Sequence, residues 1–268
     1  MPLPTNAPLL SLDRVGKRYA SGTLALQELT LAIVRHEFVS LLGPSGCGKS
    51  TALRLLAGLD EPSSGRLQWD DGGSQASVHN DIGYVFQEPT LMPWASAADN
   101  VALPLRLRGT PRADIEAAVM PALAAVGLRE FAQAYPRELS GGMRMRVSIA
   151  RALVTEPALL LLDEPFAALD EITRFRLNQD LLALWLREPA HAERGFTGIF
   201  VTHSVYEAVF LSQRILVMAP RPGRVVDEIA IDLPYPRNEA TRSLPRYTEL
   251  CVQVSRALQA ASEVVEHA

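Results

Sequence analysis

A glycine-rich loop between an apolar run and a helix-like run constrains this 268-residue chain more than any other feature. Residues Gly43–Thr51 fit the pattern G-x-x-x-x-G-K-[ST], after a predicted strand at Phe38–Leu42 and before a predicted helix at Ala52–Ala57. The glycines let the backbone curl so that N–H groups point inward, and the helix adds the positive end of its dipole. We predict an α/β fold in which this loop binds the phosphates of a nucleotide. The alternative is a glycine-rich turn that binds nothing.

The residues of this loop have separate expected roles in phosphate binding. Lys49 can reach the β- and γ-phosphates, and the Ser50 hydroxyl can ligate Mg²⁺. Backbone N–H groups of the loop are expected to surround the phosphate oxygens. The predicted nucleotide-binding residues of the loop are Gly43, Pro44, Ser45, Gly46, Cys47, Gly48, Lys49, Ser50 and Thr51.

Composition restricts the class of protein further. A hydrophobic content of 48% with 21% charged residues is typical of a soluble globular protein. The formal net charge of -4 argues against a nucleic-acid partner that needs a basic surface. Two cysteines, Cys47 and Cys251, provide no disulfide framework and favour a reducing, cytosolic setting. No apolar run reaches the roughly 18 residues that span a bilayer, so we expect no membrane span.

The distribution of periodic segments predicts an α/β core that is interrupted by helices. Helical periodicity replaces strand-like alternation from about residue 93 to about residue 140, which indicates an inserted helical subdomain. The core resumes with a predicted helix at Gly142–Leu153 and an apolar strand at Ala158–Leu162. Such an uninterrupted apolar run is typical of a strand buried on both faces of a parallel sheet. Further strands are predicted at 82–86, 198–202 and 215–218, and further helices at 170–186 and 246–262.

Two arginines follow the last of these predicted strands. The sequence Pro220–Gly223 is typical of a turn, and Arg221 lies within it. We interpret Arg221 and Arg224 as solvated surface residues.

Two adjacent carboxylates end the apolar strand. Asp163 and Glu164 are expected at the carboxyl edge of a parallel sheet, where ligands bind in such folds. Asp163 suits a Mg²⁺ role, and Glu164 could act as a general base toward water. The alternative is a strand that ends in two solvated acids.

A second predicted helix start carries a serine and two glycines. Ser140, Gly141 and Gly142 combine a hydroxyl with a flexible backbone at a helix N-terminus, which is another anion-binding arrangement. One nucleotide pocket needs only one such start, so the second could complete the site of a partner subunit. The alternative is an N-cap followed by a flexible hinge.

Two further polar residues follow predicted strands. His203 comes directly after the strand that ends at Thr202, where it could reach a γ-phosphate, although a lone histidine at a strand end is more often structural. Gln87 also follows a strand and could contact Mg²⁺ or the attacking water. Because Gln87 stands at the entry to the helical block, it is also a candidate for transmitting the nucleotide state to that block.

The order and spacing of these motifs resemble ABC-type ATPase subunits over roughly residues 10–235. The resemblance implies a head-to-tail homodimer that encloses two ATP molecules with Mg²⁺. It implies that Ser140–Gly142 of one subunit touch the γ-phosphate bound by the other, that Tyr19 stacks on adenine, and that Asp170 couples the two sites. The matching motifs are Gly43–Thr51, Gln87, Leu139–Arg144, Leu159–Glu164, Ala168–Asp170 and Thr202–His203.

Other segments resemble the branch of this family that serves nitrate, sulfonate and taurine importers. The resemblance implies a cytoplasmic subunit, peripheral on the inner face of the cell membrane, with integral membrane permease subunits and, indirectly, a periplasmic or extracellular solute-binding protein as partners. These segments are Leu139–Arg144, Asp163–Phe166, Asp170–Arg174, Glu207–Leu211 and Met218–Arg224.

The resemblance also defines the expected fold and domains. It implies a P-loop NTPase core with a mainly parallel sheet, an N-terminal antiparallel β-subdomain and the inserted helical subdomain. The ATPase domain is expected at residues 8–235 and a C-terminal helical extension at 236–268.

Two other classes of nucleotide-binding protein are the alternatives. A non-transport ABC ATPase would usually carry a long coiled coil between the phosphate loop and Ser140, or two fused cassettes, and the sequence has neither. A GTPase would need a guanine-reading Asn-Lys-x-Asp segment, which is absent from the sequence.

Overall fold

The computed structural model describes residues 8–69, 82–187 and 195–263 of the chain. The chain divides into two compact units, the first made of Met1–Asn80 with Thr197–Ala268 and the second of Asp81–Phe196. The strands are β1 (Pro8–Arg18), β2 (Leu24–Val34), β3 (Phe38–Leu42), β4 (Ser64–Trp69), β5 (Ile82–Val85), β6 (Leu159–Asp163), β7 (Thr197–Thr202), β8 (Arg214–Ala219) and β9 (Arg224–Ala230). The α-helices are α1 (Lys49–Leu56), α2 (Ala97–Leu107), α3 (Arg112–Ala125), α4 (Gly141–Leu153), α5 (Glu171–Leu186), α6 (Val205–Leu211), α7 (Glu239–Arg242) and α8 (Pro245–Glu263).

An antiparallel sheet forms the N-terminal part of the first unit. Strand β1 lies between β2 and β4 and pairs antiparallel with both. Along β2, Leu29, Leu31 and Ile33 are buried while Thr30 and Ala32 are exposed, the alternation expected of a strand with one covered face. The predicted N-terminal antiparallel β-subdomain is confirmed.

Parallel strands of the first unit bring two candidate site segments to the same edge. Strand β3 pairs in parallel with β7 on one side and β8 on the other, and β9 adds to β8 in antiparallel orientation. Both β3 and β7 are buried along their whole length, as their apolar sequences require. Leu42 is the register partner of Thr202, so the loop after β3 and the residue after β7 leave the sheet side by side.

The second unit contains a parallel strand pair that also brings two candidate site segments to one edge. Strands β5 and β6 pair in parallel with Val85 opposite Leu162. Residues Leu159–Leu162 are fully buried, which confirms the predicted two-sided burial of this apolar run. The segments that carry Gln87 and Asp163 therefore leave this strand pair at the same edge.

Helices α2, α3 and α4 pack together in the second unit. Helix α4 contacts both α2 and α3 as well as β5. The sequence predicted helical structure through about residue 140, but the stretch 126–140, all of it described, contains two short 3₁₀ turns instead, at Arg129–Phe131 and Pro136–Glu138. Gly127 has a φ of 71°, outside the helical region, and Pro136 lacks the N–H that a helix interior needs, so the helical pattern cannot continue there.

The C-terminal segment covers the first unit with helix α8. This helix contacts α6 and β8 through a face that includes Tyr247, Leu250 and Val254, all buried. The helix predicted at residues 246–262 is confirmed, while residues 264–268 of the predicted extension lie outside the described residues. Among the helices that the structure describes, none combines the length and apolarity needed to cross a bilayer.

Candidate active site

The loop after β3 needs glycines at positions where the backbone is left-handed and at a position where a side chain would clash with its neighbours. Gly46 and Gly48 have φ angles of 77° and 91°, in the left-handed region that favours glycine. A Cβ on Gly43 would lie 2.6 Å from the Cys47 sulfur. Helix α1 begins at Lys49, and its N-cap residue, Gly48, has no side chain to accept from the N–H groups of the first turn. The start of α1 therefore has the chemistry of an anion site.

Lys49 is folded onto its own loop. Its side chain is only 4% exposed, and Nζ donates hydrogen bonds to the carbonyl oxygens of Gly43 at 2.8 Å and Pro44 at 3.1 Å. A phosphate group that enters the loop would offer Nζ a charged acceptor, and charge-assisted hydrogen bonds are stronger than those to neutral carbonyls.

A cavity of about 290 Å³ adjoins the start of α1. This volume is near the lower end of the range for small-molecule sites. Tyr19 lies close to it, with its hydroxyl 3.3 Å from the Thr51 hydroxyl oxygen and its ring 5.3 Å from the Lys17 ammonium. The cavity thus fits part of a nucleotide. It is lined by Thr23, Leu24, Ala25, Gly46, Gly48, Lys49, Ser50, Thr51 and Arg221.

His203 stands in a turn that is fixed by hydrogen bonds on both sides. The Thr202 hydroxyl donates to the carboxylate of Glu207, and both residues are buried. The Ser204 N–H donates to the Thr202 hydroxyl oxygen at 2.9 Å, and the Glu207 N–H donates to the Ser204 hydroxyl oxygen at 3.4 Å. His203 itself is exposed, so a rigid turn presents its ring at the edge where the phosphate loop also emerges.

The two predicted carboxylates lie at the end of β6 in different backbone conformations. Asp163 is the last residue of β6, and its Oδ2 accepts a hydrogen bond from the Tyr84 hydroxyl at 3.4 Å. Glu164 has a φ of 46°, a left-handed conformation that costs a non-glycine residue roughly 1–2 kcal/mol. Such strain clusters at functional sites. Gln87 is exposed and stands two residues beyond β5.

Ser140 caps helix α4. Its hydroxyl accepts a hydrogen bond from the N–H of Met143 at 3.2 Å, and Ser140 remains exposed. A Cβ on Gly142 would lie 2.9 Å from the Thr173 methyl carbon, so this glycine permits close packing of α4 on α5. The capping alternative for this segment is therefore realised within the chain, and the exposed start of α4 also remains accessible to an anion.

Asp170 caps helix α5 in the same way. Its carboxylate accepts a hydrogen bond from the N–H of Thr173 at 3.0 Å. This bond to the charged form lowers the pKa of Asp170 below its usual value. Asp170 is exposed and hence ionised at neutral pH.

Three residues with a role in the geometry were missed at the level of sequence. Tyr84 contacts Asp163, Glu207 fixes the His203 turn, and Arg221 lines the cavity although it is exposed, so it is more than a solvated surface residue. Ser204 and Glu207 fit the capping pattern S-x-x-E, which could have identified Glu207. No comparable local signal marks Tyr84 or Arg221.

A phosphate loop between a buried parallel strand and a helix, with an exposed histidine at the same sheet edge, defines a nucleotide-binding protein of the P-loop class. Comparison with known proteins narrows the class. Residues 26–167 match the family described as ABC transporter. The ABC transporter ATP-binding protein MJ0412 of Methanocaldococcus jannaschii is 43% identical over 91% of this chain and 89% of its own length.

Two further relatives have names that mention a solute. The taurine import ATP-binding protein TauB of Rhizobium johnstonii is 42% identical over 92% of this chain and 94% of its own length. The aliphatic sulfonates import ATP-binding protein SsuB 2 of Burkholderia cenocepacia is 45% identical over 88% of this chain and 83% of its own length. Among solved structures, the dimeric ATP-binding cassette MJ0796 bound to ADP and phosphate is 33% identical, with a TM-score of 0.70, over 84% of this chain and all of its own.

The chain belongs to the ABC transporter family. It is an ATPase, the ATP-binding and ATP-hydrolysing subunit of an ABC transporter, and Mg²⁺ is the cation that accompanies ATP in this family. The predicted fold class is confirmed by the solved cassette and by the strand pairing in each unit.

Proposed function

We propose that the chain powers a membrane importer for a small solute such as nitrate, a sulfonate or taurine. The observation that carries the proposal is the identity above 40% to taurine and sulfonate import subunits along most of the chain. The solute itself would be selected by other subunits, because the cavity beside the phosphate loop is assigned to the nucleotide.

The phosphate loop and Tyr19 are the proposed nucleotide site. Lys49 would exchange its bonds to loop carbonyls for bonds to the β- and γ-phosphates, and the backbone of Gly43–Thr51 would hold the remaining phosphate oxygens. Tyr19 would stack on adenine. The short distance between the Tyr19 and Thr51 hydroxyls supports a single site for base and phosphates.

The proposed hydrolysis residues are those that end the parallel strands. Ser50, Gln87 and Asp163 would ligate Mg²⁺, which supplies positive charge to the phosphates when bound. Glu164 would accept a proton from the attacking water, and its left-handed backbone beside Asp163 supports a specialised role. His203 would position the γ-phosphate from its hydrogen-bonded turn.

The proposed active form is a head-to-tail homodimer. Ser140, Gly141 and Gly142 of a second copy would contact the γ-phosphate held by Lys49, since a helix start directs N–H groups and the positive end of its dipole at an anion. Asp170 would couple the two sites. The exposure of both Ser140 and Asp170 supports a contact outside the chain itself.

The proposed domain division assigns one surface to the membrane partners. We divide the chain into an ATPase domain at 8–235, with a helical subdomain at about 93–140, and a C-terminal helical extension at 236–268. Integral membrane permease subunits would dock on the helical subdomain, where Trp94 is 76% exposed and Leu107 80% exposed. A periplasmic or extracellular solute-binding protein would deliver the solute to the permease. The chain would then be cytoplasmic and peripheral on the inner face of the membrane.

A non-transport ABC ATPase is the alternative. Proteins of that kind usually extend the helical insertion into a long coiled coil. The helices described between Thr51 and Ser140 do not exceed 14 residues, which favours the transporter proposal.

Uptake by the assembled transporter tests the proposed function. The chain would be co-expressed with the permease and binding-protein genes that neighbour its own, and the complex reconstituted in proteoliposomes. We expect ATP-dependent uptake of labelled taurine, an alkanesulfonate or nitrate, and none with the Glu164→Gln subunit. Failure to co-purify with any permease, together with solute-independent ATPase activity, would favour the non-transport alternative.

A further inference from the structure

The turn between β8 and β9 is hydrogen-bonded to strand β2 and packs against the phosphate loop. The N–H of Gly223 donates to the carbonyl oxygen of Ala25, and the N–H of Gln27 donates to the carbonyl oxygen of Gly223, both at 3.0 Å. A Cβ on Gly223 would lie 2.2 Å from the carbonyl oxygen of Cys47. Only a glycine at this position allows the turn to approach the loop so closely.

This turn carries Arg221 to the cavity beside the phosphate loop. Arg221 has a φ of 52°, a left-handed conformation at the tip of the turn. Arg221 lines the cavity together with Lys49, Ser50 and Thr51 of the first turn of α1. Among the described residues that line the cavity, two are cationic and none is acidic, so this lining favours an anion.

We propose that Arg221 is a nucleotide-binding residue, and that its guanidinium group contacts the α- and β-phosphates of ATP or ADP. The residues beside it in the cavity are those whose backbone surrounds these two phosphates in a phosphate loop. Lys49 is expected to reach further, toward the β- and γ-phosphates. A planar guanidinium with several fixed donors suits phosphate oxygens better than an ammonium does.

Nucleotide affinity of the whole purified chain tests the role of Arg221. We expect Arg221→Gln to weaken binding of ATP and of ADP about equally, by roughly 3- to 30-fold, as for one partly exposed charge-assisted contact. Isothermal titration calorimetry at low ionic strength would measure the affinities for ATP and ADP. Adenosine, which lacks phosphates, would be the control ligand. The loss of nucleotide affinity caused by Arg221→Gln should become smaller as salt is added, because the contact is ionic. Arg221→Lys should bind with intermediate affinity.

Arg224→Gln is the matched control, because it removes the same charge from the same hairpin at a position that does not line the cavity. We expect it to bind ATP as the unaltered chain does. The proposal would be overturned if Arg221→Gln kept the affinity of the unaltered chain for ADP. It would also be overturned if Arg224→Gln lost as much nucleotide affinity as Arg221→Gln. An equal loss for adenosine would also overturn it, since it would indicate a deformed turn. Saturable ATP binding by the unaltered chain keeps this outcome separate from any failure of the transport proposal.

Discussion

At the scale of single residues, the two adjacent carboxylates at the end of β6 differ in backbone conformation. Asp163 completes the strand and accepts from the Tyr84 hydroxyl, whereas Glu164 has a left-handed backbone conformation. The extended conformation of β6 therefore ends between the two acids. This difference in backbone conformation is consistent with the different roles proposed for them in metal binding and water activation.

We expect Glu164→Gln to retain ATP affinity and to lower the hydrolysis rate roughly 10²- to 10⁴-fold, the usual contribution of a general base. The amide keeps the shape but cannot accept a proton. Phosphate release under saturating ATP measures the rate. Glu156→Gln is the control, because Glu156 also has a left-handed backbone, with a φ of 48°, but precedes β6. Near-normal hydrolysis by Glu164→Gln would contradict the general-base assignment.

At the scale of elements, the end of helix α6 depends on an arginine from a later segment. Arg237 is 4% exposed and donates from one nitrogen to the carbonyl oxygens of Val209, Phe210 and Ser212, at 2.9–3.0 Å. Its second terminal nitrogen donates to the carbonyl oxygen of Leu233 at 3.0 Å. The guanidinium thus satisfies carbonyls that a helix end leaves without partners. It also stacks on the Tyr235 ring at 4.0 Å.

We expect Arg237→Met to lower the free energy of unfolding by about 2–4 kcal/mol, because several buried carbonyls would lose their donors. Chemical denaturation followed by circular dichroism measures the change. Arg246→Met serves as the comparison, since the ion pairs of Arg246 with Asp232 and Glu249 are exposed. It should leave the unfolding midpoint nearly unchanged. Equal effects of the two substitutions would contradict the capping role of Arg237.

Carboxylates at helix starts also predict how stability depends on pH. Asp99 accepts a hydrogen bond from Arg106 and another from Ser96, and Asp170 accepts from the N–H of Thr173; these bonds lower the pKa of both carboxyls. A carboxyl with a lowered folded-state pKa stabilises the fold above its unfolded pKa, near 4, and loses that contribution as the pH falls through the folded value.

We therefore expect the free energy of unfolding to fall as the pH is lowered below about 4. Denaturant titrations at a series of pH values measure this dependence. The double variant with Asp99→Asn and Asp170→Asn keeps an accepting oxygen at each position but cannot ionise, so its stability should approach that of the unaltered chain at low pH. A constant difference between the two proteins across the pH range would contradict the assignment.

At the scale of the whole molecule, the two helix starts with anion-binding chemistry have different surroundings. The start of α1 adjoins a cavity and a buried lysine, whereas Ser140 at the start of α4 is exposed. The start of α1 therefore combines the space and the positive charge that one chain must supply to bind a nucleotide. The start of α4 is accessible to a phosphate that another molecule holds, which is the physical basis for the proposed dimer.

We expect Gly141→Asp to bind ATP normally but to lose ATP-dependent dimerisation and hydrolysis, because a carboxylate at this helix start would repel the partner's γ-phosphate. The added Cβ would meet Leu169 at 3.5 Å, an ordinary contact, so the fold should persist. Light scattering in the Glu164→Gln background, with and without ATP, measures dimerisation. Gln133→Glu, at an exposed position whose backbone does not need a glycine, controls for the added charge. An ATP-dependent dimer of Gly141→Asp would contradict the head-to-tail arrangement.

The sequence by itself determined several elements of the core and most of the candidate site residues. Local patterns carry this information: the spacing of Gly43, Gly48 and Lys49, the apolar run before Asp163, and the serine before the glycines at 141 and 142. The boundaries of β3, β6 and α4 differ from those predicted by one residue at most. Periodicity failed after residue 125, where Gly127 and Pro136 override an apolar pattern that remains helical.

Only the tertiary structure decided which distant residues meet at the phosphate loop. Arg221 appears in the sequence as a charged turn residue, and Gly223 as an ordinary turn glycine. The parallel pairing of β3 with β8 and the close approach of Gly223 to Cys47 bring Arg221 to the cavity beside Lys49. Sequence patterns report interactions between near neighbours along the chain, whereas such contacts depend on strand order and on the space that a missing side chain leaves.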